Sequence, residues 1–123
     1  MDCCVSSALG MLSLGSQHHY LFYQAPCDMR KSFDGLCGLV RDELNRDPTQ
    51  GDVFVFVNRR RTHLKLLVWE PGGFVLWYKR LEAGTYPPPR LREGQVEISW
   101  ADLVLMIEGI RVERSVQTRR YYR

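Results

Sequence analysis

The 123-residue sequence lacks the long apolar run that a membrane-spanning helix needs. Its longest apolar stretch, Leu64 to Trp69, is interrupted by Lys65, whereas a span needs about 18–20 consecutive apolar residues. The first residues also lack the basic region that opens a secretory signal peptide, because Asp2 stands where a base is expected. From these absences we expect a cytoplasmic protein without a membrane partner.

Cysteine and histidine are few, and their spacing does not suit a metal site. Two of the four cysteines, Cys3 and Cys4, are adjacent, whereas structural zinc sites favour pairs separated by two residues. His18 and His19 are adjacent too, so on a strand they point to opposite faces. We therefore expect no metal and no cofactor, and reduced thiols in a cytoplasmic chain.

Acidic residues are rare where a two-metal nuclease would need them. Glu70 and Glu82 are the only acidic residues within residues 53–92, and neither lies inside a predicted strand. A ribonuclease-H-type nuclease needs carboxylates on or beside its central strands, and this chain is too short to complete that fold. A nucleophilic pair of Cys27 and His63 is left open, although nothing in the sequence orients it. We expect no catalytic residue, and metal-dependent strand cleavage is the weakest hypothesis.

Positive charge is present but unevenly distributed. The chain has 17 basic and 14 acidic residues, a net charge of +3. Residues 53–92 hold eight bases and two acids, residues 93–113 hold five acids and one base, and residues 114–123 add four arginines. Such segregation can attract a polyanion to one face and a basic partner to another.

Apolar periodicity predicts two helices. Residues 28–45 place apolar side chains at steps of three and four, with Asp28 as the N-cap. Residues 99–109 begin with a capping pattern from Ser99 to Asp102 and end at Gly109.

Three main strands are predicted over residues 53–57, 62–69 and 74–81, with short strands near residues 18–24 and 95–98. The short connections between the main strands favour antiparallel hairpins. We therefore predict an α+β fold, an antiparallel sheet of three main strands plus short edge strands, packed with two helices. Residues 18–112 form the single domain, between a flexible leader (1–17) and a basic flexible tail (113–123).

The alternation of side chains assigns two faces to this sheet, provided that both hairpin loops hold an even number of residues. One face is predicted to be a dry core, and the other to be mixed aromatic and basic. The dry face carries Val53, Val55, Val57, Leu64, Leu66, Val68, Val75 and Trp77, and the mixed face Phe54, Phe56, Asn58, His63, Lys65, Leu67, Trp69, Phe74, Leu76, Tyr78 and Arg80.

Three consecutive arginines stand at the predicted tip of the first hairpin. A basic tip of this kind can lie against a phosphate backbone, and Phe56 and Tyr78 are candidates for stacking on bases. A solvated loop that only maintains solubility would carry the same charges and is an equal alternative. The tip residues are Arg59, Arg60 and Arg61, and the patch continues along the sheet with Lys65, Lys79 and Arg80.

Several short motifs occur in a characteristic order. They are DMRKSFDGL (28–36), FVF (54–56), NRR (58–60), LKLLVW (64–69), GF (73–74), KRLEAG (79–84) and EGI (108–110). Through them, residues 19–110 closely resemble the TnpB accessory proteins encoded by the second open reading frame of insertion-sequence family 66. The resemblance implies a small bacterial protein that assists transposition beside a separate, larger transposase, and it assigns no catalytic residue.

The positions that match these motifs include two that suit a core, Phe33 and Leu36, and basic ones with no reason to be in a core. We therefore expect an accessory protein that binds DNA, at the ends of the insertion sequence, in a complex with the transposase. The alternative is an adaptor or regulator of the transposase without direct DNA contact, whose acidic residues 93–113 dock on a basic transposase surface. The predicted DNA-binding residues are Arg30, Lys31, Arg59, Arg60, Arg61, Lys65, Lys79 and Arg80.

Overall fold

The computed structural model describes residues 14–15 and 17–108. The predicted tail and Gly109 lie outside the described residues, as does most of the predicted leader. The elements in the described part are β1 (Tyr20–Phe22), α1 (Phe33–Asp42), β2 (Val53–Val57), β3 (His63–Glu70), β4 (Gly73–Arg80), β5 (Glu97–Ile98) and α2 (Trp100–Glu108).

The strands form one mixed sheet in the order β4-β3-β2-β1-β5. β2, β3 and β4 pair as antiparallel hairpins, and β5 is antiparallel to β1. β1 and β2, however, are parallel, with Tyr20 opposite Val53 and Phe22 opposite Val55. The predicted α+β class is confirmed, but the prediction of a purely antiparallel sheet is wrong. Residues 23–52, which include α1, form the crossover that parallel neighbours require.

The first helix is shorter than its apolar period predicts. Asp28 is not its N-cap, because the helix begins only at Phe33. The Asp28 carboxylate accepts the backbone N–H of Arg30 at 2.9 Å, and the N–H of Lys31 donates to the Asp28 carbonyl at 3.1 Å. Residues 28–31 thus form a separate turn, and Ser32 occupies the N-cap position without a side-chain hydrogen bond. Beyond the helix, Asn45 adopts a left-handed φ of 55°, a conformation that does not continue a helix.

The register confirms the predicted division of the sheet into two faces. Val57 pairs with Leu64 and Glu70 with Gly73, so both loops hold an even number of residues. The predicted dry face is covered by the second helix, α2. Its buried members are Val53, Val55, Val57, Leu64, Leu66 and Val68, joined by Leu103, Met106 and Ile107 of α2.

The opposite face is a second apolar core rather than an open aromatic and basic surface. Leu36, Cys37 and Val40 of α1 are buried against Phe54, Phe56 and Leu67. The sheet is therefore covered on both faces, each by one helix, a three-layer arrangement. Leu36 is buried as expected, whereas Phe33 at the helix start is 40% exposed.

The second helix begins as its sequence predicts. The Ser99 hydroxyl oxygen accepts the backbone N–H of Asp102 at 3.0 Å, which satisfies one of the free donors of the first turn. The edge strand before it is confirmed as the two-residue β5. Within residues 14–15 and 17–108, neither helix is long and apolar enough to cross a membrane.

Candidate functional site

Three basic segments converge at one end of the sheet. Because β1 and β2 are parallel, the segments that follow them leave from the same end. The N–H of Cys27, after β1, donates to the carbonyl of Val57 at the end of β2 at 3.0 Å. The N–H of Leu81, after β4, donates to the carbonyl of Thr62 at 2.8 Å. We name residues 28–31, 59–61 and 79–80 together the basic end.

The turn between β2 and β3 is held by the Asn58 side chain. Its Oδ1 accepts the backbone N–H groups of Thr62 and His63 at 2.9 and 3.0 Å. The N–H of Arg61 donates to the Asn58 carbonyl at 3.0 Å, and Arg61 adopts a left-handed φ of 58°. This closed turn leaves Arg59 and Arg60 exposed. Neither forms an ion pair within the part of the chain that the structure describes.

Arg61 has a structural role at the same turn. Its Nε donates to the carbonyl of Tyr86 at 3.0 Å, and the N–H of Tyr86 donates to the Arg61 carbonyl at 2.8 Å. Tyr86 is itself fully buried, and burial raises the pKa of its phenol to about 12. Arg61 therefore fixes the loop before Pro87 against the turn, and its guanidinium is partly engaged by the protein.

Lys65 is buried rather than available to a ligand. The residue is 5% exposed, and its Nζ donates to the carbonyls of Met29 and Lys31, both at 2.7 Å. The same Nζ lies 4.7 Å from the centre of the Tyr78 ring, a cation–π distance. This arrangement does not fit the expectation that Lys65 contacts phosphate. Instead, Lys65 ties residues 29–31 to the sheet.

The two exposed cations of the segment after β1 differ in their partners. The Arg30 guanidinium makes an ion pair with Asp28 at 2.8 Å. Hydrogen bonds from the Arg30 side chain and backbone hold the pKa of the Asp28 carboxyl at about 2. Lys31 is also exposed, but it has no carboxylate partner among the described residues.

The last two residues of β4 are exposed and project from opposite faces of the strand. Arg80 lies opposite His63, on the α1 side of the sheet, and its Nη2 is 4.0 Å from a carboxylate oxygen of Glu82. Both of these side chains are largely exposed, so the pair is weak. Lys79 lies opposite Leu64, on the α2 side, and has no carboxylate partner in the described range.

The predicted DNA-binding residues thus lie at one end of the sheet, but they differ in exposure and in their bonding partners. Of the two candidate stacking residues, only Tyr78 is exposed, whereas Phe56 is fully buried. The supporting roles of Asn58 and Tyr86 were not predicted, although Asn beside a hairpin turn is a recognisable signal. Among the eight predicted residues, the exposed cations without a carboxylate partner in the described range are Lys31, Arg59, Arg60 and Lys79. Arg30 and Arg80 have one, and Arg61 and Lys65 are engaged by backbone carbonyls.

Metal-binding groups do not assemble in the described residues. No three His, Cys, Asp or Glu side chains within residues 14–15 and 17–108 are arranged to hold a metal ion. Cys27 and Cys37 are buried free thiols. Burial raises the pKa of both, which disfavours the thiolate that a nucleophile needs. What the basic end presents is a set of exposed cations, groups that attract anions.

Comparison with known proteins agrees with the motifs. The family model described as IS66 Orf2-like protein matches residues 18–117. The chain belongs to the IS66 Orf2-like family. The resemblance predicted from the motifs is thereby confirmed, and membership indicates an insertion-sequence accessory protein.

Two relatives of this IS66 Orf2-like protein come from Sinorhizobium fredii. The uncharacterized protein y4jC is 35% identical over 85 residues, which is 69% of this chain and 73% of the relative. The uncharacterized protein y4hO is 37% identical over 84 residues, 68% of this chain and 72% of the relative. No solved structure matches the chain.

Proposed function

We propose that this IS66 Orf2-like protein binds DNA without catalysis and assists transposition in a complex with the separate transposase of its element. The convergence at the basic end carries the proposal. Loop, turn and strand bring Lys31, Arg59, Arg60 and Lys79 to one end of the sheet, exposed and without carboxylate partners in the described range.

Cations that neutralise phosphates release the counterions condensed on DNA, and this release drives binding. Contacts of this kind position a protein on the backbone without reading bases. The turn is already fixed by Asn58 and by the bonds between Arg61 and Tyr86. Less conformational entropy is therefore lost on binding than with a flexible basic loop.

The test is a gel-shift titration of duplex DNA from the element's ends at several salt concentrations. The variant R59A/R60A removes two exposed positive charges from the turn between β2 and β3. Its matched control, R41A/R46A, removes the same charge from the last turn of α1 and the residues beyond it, near the start of β2 rather than its end. We expect the tip variant to bind more weakly and to lower the log–log salt slope by about 2.

The control variant should bind like the unmodified protein. Equal weakening by the two variants would assign binding to net charge rather than to the basic end. Binding that does not respond to salt, or no binding at all, would contradict the proposal.

The surface of α2 favours a second candidate, an adaptor that contacts the transposase. Leu105 is 65% exposed, and Asp102 and Glu108 lie three residues to either side of it on the same helix face. A groove of about 390 Å³ runs between Leu105 and residues 87–90. An apolar residue between two acids suits a basic partner surface with an apolar centre.

The adaptor is tested with D102K/E108K and co-purification with the element's transposase. The matched control is D34K/D42K, which makes the same charge change on exposed residues of α1. Loss of the transposase only in the α2 variant, with DNA binding intact, favours the adaptor. Loss of DNA binding only in R59A/R60A favours direct binding.

A further inference from the structure

We infer that the basic end takes an unpaired segment of single-stranded DNA, with one base stacked on Tyr78. The inference rests on the proposed function, because it names the form of DNA that the site accepts. Its physical basis is an exposed aromatic ring, fixed by its neighbours, beside cations that can reach the phosphates next to a stacked base.

Tyr78 is held by neighbouring groups and is open to solvent. It lies on β4, an edge strand of the described sheet, and is 50% exposed. Its ring contacts come from the neighbouring strand β3, the Lys65 ammonium at 4.7 Å and the His63 ring at 5.9 Å with 28° between the planes. Half of the residue is therefore accessible to a ligand at the edge of the sheet.

The groups that support the ring are themselves fixed. Lys65 is bound to two backbone carbonyls. His63 Nδ1 lies 2.8 Å from the Thr62 hydroxyl and 3.2 Å from Asn58 Nδ2, within the closed turn. Tyr78 is thus an oriented surface, so stacking a base on it restricts little of the protein.

Cations stand beside this ring. Arg80 is two residues further along the same face of β4 and lies opposite His63. The backbone of Lys31 is also close, because its carbonyl binds the same ammonium that contacts the ring, and Lys31 is exposed. An aromatic ring beside cations is the combination that holds single strands, in which the ring takes a base and the cations take nearby phosphates.

The form of DNA follows from this geometry. A base paired inside a duplex is already stacked on both faces, so it can offer its phosphates but not its ring to Tyr78. A duplex can use the cations alone, whereas an unpaired segment can use the cations and the ring. We therefore expect single-stranded DNA to bind more tightly than the same sequence as a duplex.

The experiment measures fluorescence anisotropy of a labelled single strand of roughly 12 nucleotides, within the usual site size, and of its duplex. The proteins are the full chain, Y78L and Y78F. Y78L keeps an apolar cover over Lys65 but removes the ring, and Y78F keeps the ring. We expect Y78L to lose roughly 5- to 150-fold in single-strand affinity, with duplex affinity unchanged. Y78F should behave as the unmodified protein.

The outcomes separate this inference from the proposed function. Duplex binding with no preference for the single strand, or equal losses on both DNAs in Y78L, overturns the inference and leaves DNA binding standing. No binding to either DNA overturns both. Ultraviolet cross-linking of a bromouracil-substituted single strand to the unmodified protein gives a readout that does not depend on the folding of Y78L. A cross-link at Tyr78 supports the inference, and cross-links only elsewhere contradict it.

Discussion

At the scale of single residues, one buried ammonium group organises much of the basic end. Lys65 faces the two carbonyls of residues 29 and 31 on one side and the Tyr78 ring on another. A single lysine in an apolar strand fits both this structural role and DNA binding, so the sequence pattern does not distinguish them. The structure does, because the carbonyls of residues 29 and 31, which are distant in sequence, lie next to the Lys65 ammonium.

Lys65→Met tests this role. Methionine has a similar length and fills the same space, but it leaves the carbonyls of Met29 and Lys31 without their donor. We expect the free energy of unfolding to fall by about 1–3 kcal/mol, the penalty for unsatisfied buried groups, measured by urea denaturation. Lys79→Met, on an exposed residue of β4, should change it by less than about 0.5 kcal/mol. An unchanged midpoint for Lys65→Met would contradict the structural role.

The exposed pair of His19 and Glu97 gives a pH-dependent contribution. His19 Nδ1 lies 2.8 Å from a Glu97 carboxylate oxygen, and this hydrogen bond raises the pKa of His19 above its ordinary 6.5. Because the folded state favours the protonated ring, the stabilisation is complete below pH 6.5 and is lost as the pH rises through the raised value.

We therefore expect His19→Gln to lower the thermal unfolding midpoint at pH values just below 6.5 and to match the unmodified protein in alkaline solution. The His19 titration, followed by NMR, should move towards 6.5 in Glu97→Gln. A difference between His19→Gln and the unmodified protein that is constant across the pH range would contradict this assignment.

At the scale of elements, the hairpins and the second helix follow from local sequence, and the crossover does not. β2 matches its predicted bounds, and β3 and β4 lie within one residue of theirs, because alternation and short loops are local signals. β1 has three residues, too few for its pattern to choose a partner. The start of α1 is displaced from Asp28 to Phe33, since residues 28–31 form a turn of their own.

The two helix starts provide a matched pair of serine variants. The Ser99 hydroxyl caps α2, whereas Ser32 stands at the N-cap of α1 without a side-chain hydrogen bond. We expect Ser99→Ala to lower the free energy of unfolding by about 0.5–2 kcal/mol and Ser32→Ala by less than about 0.5 kcal/mol. Both are measured by urea denaturation. Equal effects would show that hydroxyl capping does not distinguish the two helices.

At the scale of the whole molecule, charge composition predicts the kind of site but not the state of each cation. The eight predicted residues include exposed, paired and buried cations, and their states depend on contacts between segments that are distant in sequence. Arg61 and Lys65 illustrate this, since each is engaged by a backbone carbonyl from another segment. The convergence itself depends on the parallel pairing of β1 and β2, which the sequence did not reveal.

The four exposed cations of the basic end that have no carboxylate partner among the described residues predict a salt dependence. If each of them neutralises one phosphate of a duplex, the slope of log affinity against log salt should be about −3 to −4. A slope near −5 would mean that Arg30 and Arg80 also leave their carboxylates for phosphates. A slope near zero would contradict binding through the basic end.

The pairing of β1 with β5 joins distant parts of the chain, since His19 and Glu97 are 78 positions apart. On the ribosome, β2, β3 and β4 can pair once residues 53–80 have emerged, but the outer edge of β1 stays open until residue 98 arrives. The apolar face that α2 covers stays exposed until residues 100–108 follow. We therefore expect a chain that stops before Trp100 to aggregate or to be degraded. The fold is complete only when residues 97–108 have been synthesised.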